Sequence, residues 1–315
     1  MTLRRGNVAN RSRTVNPSPV KVPGMEESMH AIRRRLPLRM EVLACMLALT
    51  TGCETNPYTG RSQLIMTSVS DDIQMGTQAY SQVKNDPKMK PSQDPREIEP
   101  VKHVTSRIIE AAKRSKYAEI AKEFQWEVTV IKDDKTMNAF ALPGGKIAVY
   151  TGIFPMAKTE AGLAAVLGHE VTHALARHGA ERMSQGQLAN TALQVLGTAA
   201  GISSGNAMLG EATMAALGAG AQVGVLLPFS RKHESEADYI GILLAADAGY
   251  DPRESVHLWE RMEQMSGGGG PSEFLSTHPG HETRIEQLKK WMPEAMAIYQ
   301  TKQPLPAAEL PLIGR

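Results

Sequence analysis

The chain has 315 residues and a formal net charge of +2 at pH 7, and its ordinary apolar and charged content indicates a globular protein of one or two domains. Residues 1–52 hold nine of the 35 Lys and Arg residues but only three of the 33 Asp and Glu residues. The remainder is therefore net acidic, which argues against a nucleic-acid-binding surface. Both cysteines, Cys45 and Cys53, lie near the N-terminus, which excludes a disulfide or thiolate metal site in the folded body.

A secretory signal is predicted at the N-terminus. Basic residues Arg33–Arg35 precede a short apolar run, Val42–Leu49, and then small residues, which is the order of a signal peptide. The apolar run is too short to span a bilayer. Because Gly52 and Cys53 resemble a bacterial lipoprotein cleavage site, we expect 1–52 to be a leader and signal peptide. Lipidated Cys53 would then anchor a periplasmic protein to a membrane, the outer one in view of Glu54; an ordinary signal peptide or an uncleaved anchor is the alternative.

Two helices, a strand and a hairpin are predicted next. The helices cover 70–83 and 97–114, and the strand covers 126–131. The runs 138–142 and 146–150 flank a Pro-Gly-Gly turn and predict a β-hairpin. This hairpin is either pure scaffold or an edge strand that pairs with an extended peptide substrate through main-chain hydrogen bonds. We favour the second interpretation, with the substrate-binding residues Asn138, Ala139 and Phe140.

The most informative stretch is a predicted helix from Thr159 to about Met183. His169 and His173 lie four residues apart, so they project from one helix face and can turn their nitrogens toward one Zn²⁺ at about 2.0–2.1 Å. Glu170 follows the first histidine and can reach a water molecule beside the metal without being a ligand. This is the H-E-x-x-H pattern of zinc peptidases. The alternative is an amphipathic helix with its histidines on a solvated rim.

The stretch 184–230 has Glu211 as its only charged residue. A pair of membrane helices is one interpretation. Frequent Gln, Asn, Gly and Ser residues dilute its apolar character, so we favour a mobile helical hairpin or lid beside the active site.

A further helix, from Ser230 to Asp247, can supply a third metal ligand. Glu234 and Asp238 share one face of this helix, so Glu234 can complete a His₂Glu set while Asp238 hydrogen-bonds the far nitrogen of a histidine ligand. A solvated acidic face is the alternative, and Glu236 is assigned to that face. The spacing places two other histidines away from the metal: His233 is predicted to be peripheral and His178 to lie on the surface.

The C-terminal part is predicted to hold two more helices, 252–265 and 281–297, separated by a glycine-rich break at 267–270. The metallopeptidase domain is expected to cover 53–300. Residues 301–315 are expected to form a flexible tail.

Taken together, these motifs resemble the gluzincin metallopeptidases of the HtpX and CaaX prenyl protease type. The resemblance covers about 53–295 and rests on four segments in the family's order: Gly168–His173, Ser230–Asp238, Ser276–Pro279 and Arg284–Ile285. The segments 138–145 and 56–60 look like those of its periplasmic, Oma-like branch. The resemblance implies an α+β, mainly helical, zincin-like fold with a small sheet or hairpin beside the H-E-x-x-H helix. It also implies one zinc ion per chain, bound by His169, His173 and Glu234.

The mechanism that the resemblance implies makes Glu170 the general base and proton donor to the leaving amine. His278 and Arg284 would stabilise the oxyanion or hold a loop over the metal. In a resting enzyme the His278 imidazole can fill the fourth zinc position. The implied function is a metalloendopeptidase that cleaves unfolded or misfolded polypeptides in the bacterial cell envelope. The alternative is a non-catalytic, zinc-stabilised periplasmic chaperone or assembly factor, which would not need Glu170.

Overall fold

The computed structural model describes most of the chain beyond the predicted leader. The described residues are 53–204, 230–266, 274, 276, 278, 283–306 and 308–313, with side chains described outside 193–204 and 265–266. The predicted signal peptide (1–52), the later part of the predicted lid (205–229) and the glycine-rich break (267–270) lie outside them. Gly52–Arg315 form one compact unit.

Helices make up most of the described chain, as predicted. In chain order they are α1 (Val69–Asn85), α2 (Pro95–Ala112), α3 (Ala118–Glu123), α4 (Phe154–Ala157), α5 (Glu160–Leu175), α6 (His178–Ser204), α7 (Arg231–Asp247), α8 (Glu254–Ser266) and α9 (Arg284–Tyr299). The predicted ends of α1, α2, α7, α8 and α9 lie within about three residues of the observed ends, which is the usual uncertainty at helix termini. The sequence patterns do not predict the short helices α3 and α4.

The predicted strand and hairpin form a three-stranded sheet made of β3 (Glu127–Ile131), β4 (Ala139–Leu142) and β5 (Lys146–Tyr150). Its order is β3-β5-β4, with β5 parallel to β3 and antiparallel to β4. The hairpin turn uses Gly144 and Gly145 at φ of 79° and 87°, a conformation that glycine adopts without steric cost. Strand β4 therefore lies at an edge of the sheet, as the substrate-strand hypothesis requires.

A second, two-stranded sheet follows Cys53 directly. Strands β1 (Cys53–Thr55) and β2 (Ser62–Leu64) pair antiparallel, around a turn in which the Asn56 side chain accepts hydrogen bonds from the backbone N–H groups of Tyr58 and Thr59. The sequence patterns do not predict these two strands. Asn56 is fully buried, so the turn is part of the folded body.

Helix α5 lies at the centre of the main hydrophobic core. It begins where the Thr159 hydroxyl accepts a hydrogen bond from the Gly162 N–H, as an N-cap does. Its residues from Gly162 to Leu175 are buried except Ala165. Helices α2, α7 and α8 and strand β4 pack around it. The H-E-x-x-H pattern therefore sits in the interior, and the alternative of a solvated rim is wrong.

The predicted single helix from Thr159 to Met183 is interrupted. Arg177 has a φ of 55°, a left-handed conformation that is unfavourable for a residue with a side chain. Its buried guanidinium compensates, because Nε contacts Asp72 Oδ2 at 2.7 Å and Nη2 donates to the Thr67 carbonyl at 2.6 Å. The chain changes direction at this point, and α6 begins at the next residue, His178.

Helix α6 runs from this break through Ser204, into the stretch predicted to be a lid. Among the described residues, we find no helix that is both long and apolar enough to cross a membrane.

The C-terminal tail packs against the body, which corrects the prediction that it is loose. The Leu310 N–H donates to the Lys158 carbonyl at 2.8 Å, and the Glu160 N–H donates to the Ala308 carbonyl at 2.9 Å. Leu310 itself is buried. The tail thus satisfies one of the free N–H groups at the start of α5, a role that its proline-rich composition does not reveal.

Helices α5 and α7 approach each other through two glycines. A Cβ added at Gly168 would lie 2.6 Å from the Gly241 carbonyl oxygen, and one added at Gly241 would lie 2.8 Å from the His169 nitrogen. These are backbone atoms, so no side-chain rotation can relieve the overlap.

We expect Gly168→Ala or Gly241→Ala to lower the free energy of unfolding by about 1–3 kcal/mol, as overpacking does. Urea unfolding of the purified chain measures this. Gly179→Ala is the matched control, since its Cβ would meet only Pro143 Cγ, at 3.7 Å, and should leave stability unchanged or slightly higher. Equal urea midpoints for Gly168→Ala and Gly179→Ala would show that the packing of α5 against α7 does not depend on the close approach at Gly168.

Candidate metal centre and its surroundings

The predicted site residues meet where α5, α7 and the start of α9 come together. His169, Glu170 and His173 come from α5, and Glu234 comes from the first turn of α7. The Ser230 hydroxyl caps α7 by accepting from the His233 N–H, which fixes the point at which this helix begins. All four site side chains are buried.

Three of these side chains, from His169, His173 and Glu234, place donor atoms within 4.8 Å of one another and of a donor atom of His278. His169 Nε2 lies 3.0 Å from His173 Nε2, 3.4 Å from Glu234 Oε2 and 3.2 Å from His278 Nδ1. Glu234 Oε1 lies 3.3 Å from His173 Nε2 and 3.1 Å from His278 Nδ1.

These separations fit a tetrahedral metal ion. Ligand atoms at about 2.0–2.1 Å from zinc, on the corners of a tetrahedron, are about 3.3–3.4 Å apart. The five measured distances run from 3.0 to 3.4 Å. Two neutral imidazoles and a carboxylate are a common donor set for such an ion, so the residues present fit the metal that the motif predicts.

Glu170 lies beside this group without belonging to it. Its Oε1 is 3.4 Å from His278 Nε2 and has no hydrogen-bond partner among the described residues. Burial raises the pKa of the Glu170 carboxyl, although the neighbouring His278 and His169 oppose this shift. A buried carboxylate with a free oxygen and a raised pKa is a stronger proton acceptor than one in water.

Asp238 and Arg284 contact the donor group from behind. Asp238 Oδ1 lies 2.9 Å from His169 Nδ1, the ring nitrogen that faces away from the other donors. Arg284 donates to Asp238 Oδ1 at 2.7 Å and to Glu234 Oε2 at 3.0 Å. The Arg284 guanidinium also lies 3.4 Å above the Trp259 ring, a cation–π contact that keeps it in place.

The carboxylates dominate the electrostatics of the donor group. Burial lowers the pKa of His169, but Glu234 and Asp238 outweigh burial and raise it to about 9. Burial raises the pKa of Glu234, but the neighbouring histidines outweigh this effect and bring that pKa far below its usual value. Glu234 is therefore ionised, which a metal ligand must be.

His278 reaches the site although it is more than a hundred residues from His173. Its ring lies 4.6 Å from that of Phe274, nearly parallel to it. The Phe274 N–H in turn donates to the Met137 carbonyl at 3.2 Å, just before strand β4. This segment therefore joins the fourth corner of the donor group to the start of the predicted substrate strand.

The predicted substrate-binding residues lie at or just before the start of the edge strand β4, and their side chains are mostly not accessible. Asn138 and Ala139 are buried, whereas Phe140 is half-buried. The edge strand β4 packs beside α5. Cys53, the predicted lipidation site, is exposed at the start of β1.

Three residues with a predicted peripheral position are buried near the site. His178 is 0% exposed, and its Nδ1 lies 2.9 Å from His173 Nδ1. The predicted surface position was wrong because it assumed a helix that continues past Arg177. Glu236 and His233 are also buried, so the predicted solvated acidic face is wrong at Glu236.

Glu236 connects His178 to the N-terminal hairpin. Its Oε2 lies 3.1 Å from His178 Nε2, and it accepts hydrogen bonds from Arg61 and Thr59. Burial lowers the pKa of His178 to about 4. Burial raises the pKa of Glu236, but His178 and Arg61 outweigh it and bring that pKa to about 2. In the sequence, the signal for this contact is Arg61, which directly follows the segment 56–60.

Comparison with known proteins agrees with this geometry. The model of Peptidase family M48 matches residues 96–292. The chain is similar to the mitochondrial metalloendopeptidase OMA1 of Schizosaccharomyces pombe (37% identity over 80% of this chain and 70% of the relative) and of Saccharomyces cerevisiae (34% over 81% and 74%). It is also similar to the beta-barrel assembly-enhancing protease of Escherichia coli (27% over 77% and 48%).

The family match and the metalloendopeptidase relatives agree with the buried His and Glu group of the site. The HtpX and CaaX prenyl protease type is not distinguished by these matches, and the yeast relatives are mitochondrial. The chain belongs to Peptidase family M48, and it is a metalloendopeptidase.

Proposed function

We propose that this metalloendopeptidase holds one zinc ion per chain and cleaves unfolded or misfolded polypeptides in the bacterial cell envelope. The observation that carries the proposal is the tetrahedral spacing of donors from His169, His173 and Glu234, with the free oxygen of Glu170 beside them. The first three residues would hold the ion. Asp238 and Arg284 would keep His169 and Glu234 in position, as the hydrogen bonds behind metal ligands do.

When bound, zinc supplies Lewis-acid chemistry, since it polarises a neighbouring carbonyl and lowers the pKa of a neighbouring water. Glu170 Oε1 then accepts the proton of the attacking water and later returns it to the leaving amine. Burial raises the pKa of the Glu170 carboxyl, which makes the carboxylate a stronger proton acceptor; the leaving amine, a stronger base still, then takes the proton from it.

A non-catalytic, zinc-stabilised chaperone or assembly factor is the second candidate. Such a protein would need the three ligands but would gain nothing from Glu170. A buried carboxylate oxygen without a hydrogen-bond partner costs stability, and that cost is explained if the oxygen acts on substrate. The geometry therefore favours the enzyme.

The edge strand supports an unfolded polypeptide as the substrate class. Strand β4 pairs with β5 on one side only, so the main-chain groups on its other side can receive an extended peptide. Main-chain pairing needs a segment of substrate without its own secondary structure. We propose that the backbone of Asn138, Ala139 and Phe140 takes this role, next to the helix that carries Glu170.

We expect Glu170→Gln to keep zinc and lose nearly all turnover, because it removes the base and none of the ligands. Casein digestion and metal analysis of the purified chain measure the two effects. The control is Glu160→Gln on the same helix, whose carboxylate contacts the exposed His103 and which should cut casein normally. Absence of zinc in the wild-type chain, or full activity of Glu170→Gln, would contradict the proposal.

We further propose that His278 keeps the resting enzyme closed and aids the reaction once substrate enters. Its Nδ1 occupies the fourth corner of the donor group, and its Nε2 lies 3.4 Å from Glu170 Oε1. In this position it covers both the metal site and the base. When a peptide pairs with β4, the imidazole would move off the fourth corner and donate to the developing oxyanion.

Two readouts on His278→Ala separate these roles. We expect a small hydroxamate inhibitor to bind more tightly, because the fourth corner is free, and kcat to fall by about 10²–10³, as for a lost oxyanion donor. His257→Ala, at an exposed histidine of α8, should change neither. If His278→Ala altered neither inhibitor binding, kcat nor zinc content, His278 would have no role at the site.

The location is proposed from the N-terminal sequence. A short apolar run that ends at Gly52 and Cys53 supports a lipid on Cys53, which would anchor the enzyme at the periplasmic side of a membrane, the outer membrane in view of Glu54. The membrane would then be contacted through this lipid, and envelope proteins would be the substrates.

We expect Cys53→Ser to abolish incorporation of labelled palmitate and to block lipoprotein-type processing in a bacterial host. Cys45→Ser, in the apolar run, should be labelled normally. A wild-type chain that is unlabelled and stays in the soluble fraction would rule out the anchor without affecting the proposed chemistry.

A further inference from the structure

We infer that His178, Glu236 and Arg61 form a positioning relay that fixes the orientation and tautomer of the metal ligand His173. The inference rests on the proposed function, since it assumes that His173 binds the ion. It assigns a role to the N-terminal hairpin, which contributes no residue to the metal centre itself.

The first step of the relay is the contact between two imidazoles. His173 turns Nε2 toward the donor group, so its Nδ1 must carry the proton if Nε2 is to bind a metal. That Nδ1 lies 2.9 Å from His178 Nδ1, which must then accept the hydrogen bond. His178 therefore carries its own proton on Nε2.

The second step fixes His178 in this tautomer. Its Nε2 lies 3.1 Å from Glu236 Oε2, and an ionised carboxylate can only accept. The reverse polarity would leave Glu236 Oε2 facing the lone pair of His178 Nε2 and would put the His173 proton on Nε2, where it would block metal binding. Each hydrogen bond in the series thus has one permitted direction.

The third step holds the carboxylate. Arg61 donates from Nε to Glu236 Oε1 at 2.9 Å and from Nη2 to Oε2 at 2.8 Å, and the Thr59 hydroxyl donates to Oε1 at 2.5 Å. A paired guanidinium of this kind fixes both distance and angle. Thr59 and Arg61 are themselves held by the turn that the buried Asn56 closes.

Arg61 is also braced on its other side. It binds both oxygens of Glu181, at 2.6 and 2.8 Å, and Glu181 Oε2 lies 3.0 Å from His233 Nε2. The His233 ring stacks on that of His178, with centroids 4.5 Å apart and planes at 18°. The His178 imidazole, which lies between His173 and Glu236, is therefore confined in its plane and cannot tilt away from His173.

The test compares zinc affinity and stability in the full chain. We expect Glu236→Gln to weaken zinc binding by about 10–100-fold in a chelator competition, as loss of a partner behind a metal ligand does. It should also alter the visible spectrum of the cobalt-substituted protein. Glu97→Gln is the matched control, because Glu97 is also buried and hydrogen-bonded, to Ser92 and Lys132, but belongs to α2. It should lower the melting temperature and leave both metal readouts unchanged.

Substitutions at His178 test the polarity. The amide of His178→Gln can accept from His173 and donate to Glu236, so it should retain more zinc affinity than His178→Leu, which can do neither. If Glu236→Gln does not fold, Thr59→Val removes a single donor to Glu236 and should still weaken zinc binding measurably.

The outcomes separate this inference from the proposed function. A wild-type chain that binds no zinc would overturn the proposed function. Three results obtained together would overturn the relay alone. The wild-type chain would bind zinc, Glu236→Gln (or Thr59→Val) would keep its zinc affinity and its cobalt spectrum, and His178→Gln and His178→Leu would bind zinc equally well.

Discussion

The short distance between α5 and α7 is the constraint on which the site depends. Gly168 and Gly241 bring the two backbones into contact, and His169 and Asp238 lie within one turn of them. Any side chain at either glycine would lengthen the distances from His169 to Glu234 and to Asp238. Donor groups need placement to within about 0.5 Å, and here backbone contact, rather than long adaptable side chains, sets that placement.

The packing of α5 against α7 has to accommodate several buried charged groups. Glu170, Glu234 and Asp238 are all buried within one small region, and Arg284 is the guanidinium that contacts two of them. Burying carboxylates without compensation is costly. His169, whose pKa is raised by Glu234 and Asp238, offsets part of the cost when it is protonated, and a bound dication would offset the rest. The excess of negative charge is thus a physical reason for the group to bind a metal and to be more stable with it.

The parts of the site that depend on local spacing could be predicted from the sequence, and the parts that depend on distant partners could not. His169 and His173 share one face of the helix because they lie four residues apart. The position of His178 depends instead on the left-handed Arg177, which is stabilised by Asp72 and Glu54 from other elements. No pattern within the helix reveals those partners. The same applies to the packed C-terminal tail, whose hydrogen bonds go to backbone groups about 150 residues earlier.

The hairpin that supports the relay begins at Cys53, the proposed lipid anchor. Cys53 begins the strand that pairs with β2, and the turn between these strands carries Thr59 and Arg61. A lipid on Cys53, as proposed, would leave no linker between the membrane and the hairpin that supports His173. The catalytic body would therefore be held at the bilayer surface by the same segment that orients a metal ligand. Loss of this hairpin would remove both the proposed anchor and the support of His173.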